Sequence, residues 1–466
     1  MEQKHSKKKI AIIGGGIAGS SIAMYLSQFD VDIELFEQGV SLVNGPPICH
    51  LHAGGNLYRE ISDEQCLTLL KESIDTVRYF PHTMNKRPTI IAVPKTDSGE
   101  PSDLLPRLIL LKNAYQTLID DNPKNEFFGP SSDYFKIYSR EQLTLISQLT
   151  PTETPTCLDD WLIPFVKSVD LEQLKYPVVL VQEYGLSVFR MAATAEITLN
   201  NKSNTVLNFN SHVHNIQKNA QQWVINYAES GKEESKYFDC VINSAGFRTG
   251  IIDDLVQKHT HRLVEFKAAY VTQWNQSDYG KWPEVIFHGE RGTPLGMAQF
   301  TPYPNGYIQL HGMTEDITLF KNGLSQSSNE SAQPKLSEAL IKKIVKGWDL
   351  SIQQQRTDKA IKHIAQFIPS FKTATSAGKP LYGAQQIPGT DVTLRAANIS
   401  YTADGYFRAE IVKASSGIEC AKEIARVLNF TTKTSSLKVL NEDEVIILAR
   451  SLAFERHYPI ELAEVY

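Results

Sequence analysis

The sequence predicts an α/β chain, α+β overall, in which a parallel sheet wound with helices is joined to a mainly antiparallel sheet. Three observations support this class. A short apolar run near the N-terminus is followed by a glycine-rich turn and then by an apolar pattern with helical spacing. A second apolar run, which ends in an acidic residue, follows that helix. Alternating apolar and polar residues, typical of antiparallel strands, recur through the later parts of the chain.

Length, charge and cysteine content narrow the class of protein. The 466 residues are enough for one large domain or two smaller ones. A net charge of −5 gives no reason to expect nucleic acid as a partner. The five cysteines include no C-x-x-C pair, so neither a disulfide framework nor a metal site is predicted. No stretch has the ~18 consecutive apolar residues of a transmembrane segment. We therefore expect a cytoplasmic protein, with peripheral attachment at the inner face of a membrane as the alternative.

The turn after the first strand fits the spacing G-x-G-x-x-G at Gly14, Gly16 and Gly19. In this context the first glycine permits a tight turn and the second lets backbone N–H groups approach a pyrophosphate. The third lets the helix pack close to the strand. The phosphate would lie at the helix N-terminus, beside Ile17 and Ala18. The turn therefore predicts a dinucleotide site, and the alternative is a tight glycine turn without a ligand.

The second strand, VDIELFEQG, ends in Glu37, which is followed by Gln38. A carboxylate at this position would accept hydrogen bonds from ribose hydroxyls, and it would repel a phosphate there. NADP is therefore disfavoured. The turn and the acid alone do not separate FAD from NAD.

A later strand favours FAD. Residues 237–255 form an apolar run that ends in a small-residue turn with Ala245 and Gly246, and an alternating, meander-like stretch precedes it. This pairing resembles the FAD-binding domains of the glutathione-reductase type. The resemblance implies a Rossmann domain that binds FAD, with Val213 beside the adenine.

Residues 378–400 and 406–428 resemble the C-terminal part of the D-amino-acid-oxidase-like FAD oxidoreductases. The resemblance implies a loop over the flavin and then a helix from about Gly417 to Leu428, with Ser415 or Ser416 near its start. The helix dipole would face the N1/O2 edge of the flavin and stabilise negative charge there.

Residues 44–61 follow the ribose acid and contain an H-A-G…Y pattern that begins at His52 and Ala53. The pattern is similar to that of L-2-hydroxyglutarate dehydrogenases, and also to dimethylglycine dehydrogenases, in which the histidine can carry covalent flavin. The resemblance implies that His52 and Ala53 contact the isoalloxazine. We predict a noncovalent contact, with a covalent link or a purely structural histidine as alternatives. His50 and Tyr58 are weaker candidates.

In this architecture the flavin would take a hydride onto N5 from the α C–H of a small amino acid, amine or 2-hydroxy acid. A hydroxyl substrate needs a base, and histidine suits that role near neutral pH. The candidates are His52 and His311, the latter on a strand predicted over residues 306–320. For His311 the alternative is a sheet histidine that faces solvent. Possible partners of a substrate carboxylate are Arg291, Arg395, Arg408 and Lys267.

Two other function classes stay open. A flavin-dependent monooxygenase is disfavoured because the Gly-Asp pair usual in that class is missing, and a flavin-binding partner protein would have no turnover of its own. The C-x-x-x-x-C pair of a disulfide reductase does not occur. The sequence predicts a small-molecule substrate and does not choose among oxygen, a quinone and a carrier protein as the electron acceptor.

The sequence predicts a discontinuous cofactor domain because its motifs are widely separated. The predicted divisions are residues 1–85, 170–261 and 375–430 for the FAD domain, 86–169 and 262–374 for the substrate domain, and 431–466 for a helical tail.

Overall fold

A computed structural model describes residues 7–47, 50–51, 54–55, 59–275 and 280–466. The strands of these ranges are β1 Lys8–Ile13, β2 Val31–Phe36, β3 Met84–Asn85, β4 Thr89–Pro94, β5 Phe135–Tyr138, β6 Leu174–Val181, β7 Gly185–Leu186, β8 Thr205–Asn208, β9 Ser211–Asn219, β10 Gln222–Glu229, β11 Lys232–Phe238, β12 Cys240–Asn243, β13 Arg262–Gln273, β14 Glu284–Phe287, β15 Ala298–Pro302, β16 Tyr307–Gly312, β17 Leu324–Gln326, β18 Thr375–Ser376, β19 Leu381–Pro388, β20 Ile399–Thr402 and β21 Tyr406–Ala409. The helices are α1 Ile17–Leu26, α2 Asp63–Tyr79, α3 Leu105–Asp121, α4 Arg140–Ile146, α5 Leu158–Ser168, α6 Val188–Asn200, α7 Thr249–Leu255, α8 Glu338–Lys346, α9 Leu350–Ala365, α10 Ser416–Val427 and α11 Glu442–Glu455.

The first sheet is built around the N-terminal strand. In the described part of the chain it has six strands in the order β20-β21-β12-β1-β2-β8. Neighbours from β21 to β8 are parallel, and β20 is antiparallel to β21. The central strands β1 and β12 are almost entirely apolar and buried, as expected for parallel strands covered on both faces. Helices α1, α6 and α10 pack together, and the small antiparallel sheet of β9, β10 and β11 forms a separate layer.

The second sheet is mainly antiparallel. Among the described residues its path is β17-β13-β16-β15-β14-β4-β6-β5, and β18 and β19 also pair with β13. One face carries apolar side chains, including Ile308 and Leu310 of β16, which share a core with Phe165 of α5 and Ile364 of α9. The opposite face is the one that carries the candidate site. A parallel sheet joined to a mainly antiparallel sheet confirms the predicted fold class.

Some predicted boundaries differ from the structure. The strand predicted over residues 306–320 ends at Gly312, because the chain turns back on itself there. Gly312 N–H donates to Thr318 Oγ1 over 2.8 Å, and Thr318 N–H donates to the Gly312 carbonyl over 3.1 Å. The division into domains stays a prediction. Strands β6 and β19 belong to the mainly antiparallel sheet, although both fall in ranges predicted for the FAD domain.

The C-terminal segment packs on the body of the protein. Helix α11 begins after Asn441, whose Oδ1 accepts a hydrogen bond from Glu444 N–H over 3.2 Å, and it contacts α6. Further on, the Tyr466 hydroxyl donates to the Trp282 carbonyl over 2.8 Å. Among the described helices, none is long and apolar enough to cross a membrane.

Candidate active site

The glycine turn after β1 has the close contacts that its spacing predicts. Gly14 has φ = +99°, and a Cβ there would lie 2.6 Å from the Ser244 carbonyl oxygen. A Cβ on Gly19 would overlap the Gly14 carbonyl oxygen. A Cβ on Gly16, in contrast, would meet nothing within 4 Å among the described residues. Two of the glycines are therefore needed for packing, while the third borders open space next to the backbone.

Helix α1 presents its positive end to that space. Gly16 is its N-cap and supplies no side-chain cap, and the first turn carries no acidic residue. The N–H groups at the start of a helix have no partner within the helix, which makes this end suited to an anion. These groups belong to Ile17, Ala18 and Gly19, three of the predicted cofactor contacts. The turn therefore fits a pyrophosphate.

Glu37 lies beside the turn, at the end of β2. Its Oε2 accepts from Gly15 N–H over 2.7 Å, and its Oε1 accepts from Gly39 N–H over 2.6 Å. The carboxylate is thereby fixed at the edge of the glycine turn, as expected for a ribose contact. The neighbouring Gln38 accepts a hydrogen bond from Arg248 through Oε1.

The other predicted nucleotide contacts surround the same turn. Ser211 N–H donates to the Glu37 carbonyl over 2.9 Å, which brings the start of β9, with the buried Val213, next to the ribose acid. The turn with Ala245 and Gly246 follows β12, directly beside Gly14. The structure thus brings segments from three separate parts of the chain to one edge of the parallel sheet.

The start of α10 also lies against α1. A Cβ on Gly417 would come 2.8 Å from Ser21 Oγ, so the glycine allows the two helices to approach closely. Ser416 Oγ donates to Glu72 Oε2 over 2.6 Å. Ser415 is the N-cap, and its buried Oγ has no hydrogen-bond partner among the described residues. A buried hydroxyl without a partner at a helix N-terminus is consistent with a ligand that completes the site.

His52 and Ala53 lie outside the described residues, so their predicted contacts stay predictions. The glycines that follow them are held firmly. Gly54 has φ = +101°, and a Cβ there would lie 2.6 Å from the Cys66 carbonyl oxygen. Gly55 N–H donates to the buried Glu183.

One face of the mainly antiparallel sheet is polar although it is buried. Along β16, Tyr307, Gln309 and His311 alternate with the apolar core residues, so they share the opposite face. On the neighbouring strand β15, Thr301 lies opposite Gln309 and Gln299 lies opposite His311. Thr301 Oγ1, Gln309 Nε2 and His311 Nδ1 are buried atoms without hydrogen-bond partners among the described residues. Such a cluster indicates that the face is completed by water or by a bound molecule.

His311 sits among cations. Burial lowers the pKa of its imidazole well below the usual value of 6.5, and the cations Lys267, Lys413 and Arg291 lower it further. The imidazole is therefore neutral at physiological pH and can accept a proton. The interpretation of His311 as a solvent-facing sheet histidine does not fit this partly buried position.

The four candidate carboxylate partners divide into two groups. Lys267 and Arg291 both pair with Glu265 near His311, the lysine at 2.8 Å. Arg395 donates to the carbonyls of its own turn and borders a cavity of about 390 Å³ that Arg291 also lines. Arg408 is buried elsewhere, with Nε 2.7 Å from Asp253 Oδ1, and has a structural role.

A second cavity of about 330 Å³ adjoins the first. The two share Glu60 and Arg291 in their walls. His288 lines the second cavity, where burial and Arg59 lower the pKa of its imidazole to about 4. Together the two cavities offer space for a small molecule near the polar face of the sheet.

Sequence reasoning missed several buried residues near the polar face. These are Arg87, Glu284, Gln299 and Glu183, which become neighbours only through strand pairing. No local motif marks them. Two of them, Glu284 in EVIF and Gln299 in AQFTP, could have been found from the sequence. Each is a charged or amide residue in a mostly apolar strand, where such residues are uncommon.

The sequence matches no protein-family model and no curated protein. Solved structures are similar over nearly the whole chain. Glycine oxidase from Geobacillus kaustophilus has a TM-score of 0.55 and 10% identity, covering 93% of this chain and 97% of that one. L-α-glycerophosphate oxidase from Mycoplasma pneumoniae, solved with FAD bound, has a TM-score of 0.57 and 13% identity, with coverage of 93% and 97%. L-proline dehydrogenase from P. horikoshii has a TM-score of 0.56 and 12% identity, with coverage of 92% and 96%.

These similarities define the class of fold. The chain has the same two-sheet fold as these three proteins, which confirms the fold implied by the sequence resemblance. The glycine turn, the ribose acid and the polar face of the second sheet are this chain's own features within that fold.

Proposed function

We propose that the protein is an FAD-dependent oxidoreductase that takes a hydride from the α C–H of a small amino acid, amine or 2-hydroxy acid. The main support is the open space beside the glycine turn. An uncapped helix start and a ribose-type carboxylate border open space at Gly16. The similar structures, one of them solved with FAD bound, support the same class.

The residues that would hold FAD are those of the glycine turn, Glu37 and the start of α10. N–H groups of α1 would bind the pyrophosphate, and Glu37 would accept hydrogen bonds from the ribose. At the start of α10, the Ser415 hydroxyl has no hydrogen-bond partner among the described residues. FAD, when bound, supplies the hydride acceptor at N5 of the isoalloxazine.

His311 is the base candidate that the described residues support. Its neutral imidazole can accept the proton of a substrate hydroxyl or amine at Nδ1, which has no hydrogen-bond partner within the described part of the chain. The surrounding cations make the protonated imidazole unstable, so the proton would leave again rather than stay. The same cations, Lys267 and Arg291, can attract a substrate carboxylate into the cavity.

His52 remains the second candidate and is proposed to contact the flavin without a covalent bond. His52→Ala should keep FAD bound and lower the rate of flavin reduction. Acid precipitation of the wild-type protein tests the bond: a yellow pellet would contradict noncovalent binding, and a colourless pellet with FAD in the supernatant would support it.

The function is tested by anaerobic bleaching of the bound flavin with a panel of amino acids, amines and 2-hydroxy acids. We expect at least one class to bleach the flavin without NAD(P)H. Oxygen uptake that depends on NAD(P)H would instead indicate a monooxygenase. Bound FAD that no member of the panel reduces would favour a partner protein without turnover. Oxygen, a quinone and a carrier protein remain the candidate acceptors, to be separated by reoxidation assays with each.

A further inference from the structure

Four buried side chains form a hydrogen-bonded network on the polar face of the sheet. His50 Nδ1 lies 3.1 Å from Glu284 Oε1, and Gln299 Nε2 donates to the same oxygen over 2.7 Å. Gln299 Nε2 also lies 3.0 Å from His50 Nε2. Arg87 Nη2 lies 3.3 Å from the other carboxylate oxygen, Glu284 Oε2. All four residues are at most 7% exposed.

The donors and acceptors of this network can be assigned. Burial alone would raise the pKa of Glu284, but His50, Arg87 and Gln299 lower it to about 2, so the carboxylate is ionised and only accepts. The amide of Gln299 must then point its nitrogen at the carboxylate, since its oxygen would be repelled there. That nitrogen donates to His50 Nε2, and His50 donates from Nδ1 to Glu284. Both ring nitrogens of His50 are therefore used within the protein.

Arg87 is itself fixed from several sides. Its guanidinium lies 5.5 Å from the centre of the Tyr303 ring and 5.4 Å from that of Tyr466. Gly185 leaves room for it, because a Cβ there would lie 2.6 Å from Arg87 Nη2. Gly185 also pairs with His50 in an antiparallel bridge. The network and the backbone of His50 thus depend on the same glycine.

His50 lies in the segment that connects the ribose acid to the glycines at 54 and 55. Other described contacts hold the same segment: Leu51 N–H donates to the Tyr184 carbonyl over 3.3 Å, and Gly55 N–H donates to Glu183. The side chain of His50 links this segment to β14 through Glu284 and to β15 through Gln299.

We propose that His50 is a positioning residue, which fixes the flavin-facing segment on the substrate sheet through Glu284 and Gln299 and takes no part in acid–base chemistry. This inference rests on the proposed function. If the network fixes His50 and Leu51 before FAD binds, FAD binding does not have to supply the free energy of ordering them. Loss of the network should therefore weaken FAD binding.

Three substitutions test the proposal. His50→Leu removes both hydrogen bonds. His50→Asn keeps an N–H donor near the position of Nδ1 and loses the acceptor at Nε2. Gly185→Ala displaces Arg87 and leaves the imidazole of His50 unchanged, although Gly185 also pairs with the His50 backbone. His363→Leu is the matched control, because His363 is also 7% exposed and bonds to the Gly296 carbonyl, behind a different part of the sheet.

The first measurement is hydrogen exchange of the Leu51 and Gly55 amides in FAD-free protein. We expect exchange at least tenfold faster in His50→Leu and Gly185→Ala, and within about threefold of wild type in His50→Asn and His363→Leu. Exchange at the wild-type rate in both His50→Leu and Gly185→Ala would overturn the proposal. If His50→Leu fails to fold, Gly185→Ala decides. Exchange in His50→Asn as fast as in His50→Leu would overturn the role of the Glu284 contact.

The second measurement is the Kd for FAD, with sulfite addition to the bound flavin as a readout of the flavin environment that needs no substrate. We expect a Kd about tenfold higher or more, and weaker sulfite binding, in His50→Leu and Gly185→Ala. A wild-type Kd and sulfite affinity in both variants would overturn the proposal. Wild-type protein that binds no FAD would contradict the proposed function instead, while the exchange data would still decide whether His50 orders the segment.

Discussion

Replacing Glu72 by glutamine should change the stability of the protein in a strongly pH-dependent way. Glu72 lies on α2, is 4% exposed, and accepts a hydrogen bond from Ser416 at the start of α10. Burial raises the pKa of its carboxyl from 4.5 to about 7, against the effect of the Ser416 hydrogen bond. Glu419 and Asp75 add to the rise, and Lys422 opposes it.

The size of the effect follows from the difference between the folded and unfolded states. A carboxyl with a pKa of 4.5 when unfolded and about 7 when folded binds more protons in the folded state between those values. The free energy of unfolding therefore falls as the pH rises from about 4.5 to about 7. Each pKa unit is worth about 1.36 kcal/mol, so the full loss is about 3 kcal/mol.

The glutamine variant is neutral at every pH and keeps an acceptor for Ser416. We expect Glu72→Gln and wild type to have similar stability at pH 5, and the variant to be more stable by about 2–3 kcal/mol at pH 8. Urea unfolding at the two pH values measures this difference. Glu64→Gln is the control, because Glu64 is exposed on the same helix and is not among the groups that shift the pKa of Glu72. A variant whose advantage is the same at pH 5 and pH 8 would refute the reasoning.

Three further predictions concern the cofactor and the base. Gly16→Val should abolish FAD binding with little change in the Tm of the FAD-free protein, because the side chain enters open space, whereas Gly19→Ala should lower that Tm, because its Cβ overlaps backbone. Glu37→Gln should raise the Kd for FAD by about tenfold, since charge-assisted hydrogen bonds become neutral ones, as measured by fluorescence titration. His311→Leu should slow anaerobic flavin reduction by ~10²–10⁴-fold. In wild type His311 should give no change of rate between pH 6 and 9, because its pKa lies well below 6.5 and the basic form is present throughout.

Each of these has an outcome that contradicts it. Full retention of FAD by Gly16→Val would mean that the phosphate does not lie at this turn. An unchanged Kd in Glu37→Gln would exclude the ribose contact. Flavin reduction at the wild-type rate in His311→Leu would leave His52 as the better base candidate.

The nucleotide side of the site could be predicted from sequence because its requirements are local. Gly14, Gly16, Gly19 and Glu37 follow one another within a single strand–helix–strand unit, so backbone geometry alone dictates their spacing. The start of α10 carried a similar local signal in its serines and glycine. The predicted helix differs from the observed one by a single residue at each end.

The substrate side could not be predicted in the same way. His50 lies far from Glu284 and Gln299 in the chain, and the three side chains meet because strand pairing places Glu284 and Gln299 together on the face that His50 contacts. Their pairing depends on the order of strands in a sheet that no local pattern specifies. His311 was predicted because it stands where relatives of the resembling family often have glycine. Its cationic surroundings come from β13, from Arg291 after β14 and from the loop before α10, and the sequence did not show that they meet.

The strand order of the parallel sheet has a consequence for synthesis on the ribosome. Strand β1 emerges first, but its neighbour β12 lies about 230 residues later, and β21 later still. At ~5–20 residues per second, the glycine turn would wait from about ten seconds to most of a minute for β12, and longer for β21. During that interval β1 can pair only with β2, which is joined by β8 shortly before β12 is made, so one edge of β1 stays unpaired. Nascent chains of this protein should therefore depend on chaperone protection, and they should acquire their nucleotide only after nearly the whole chain has been made.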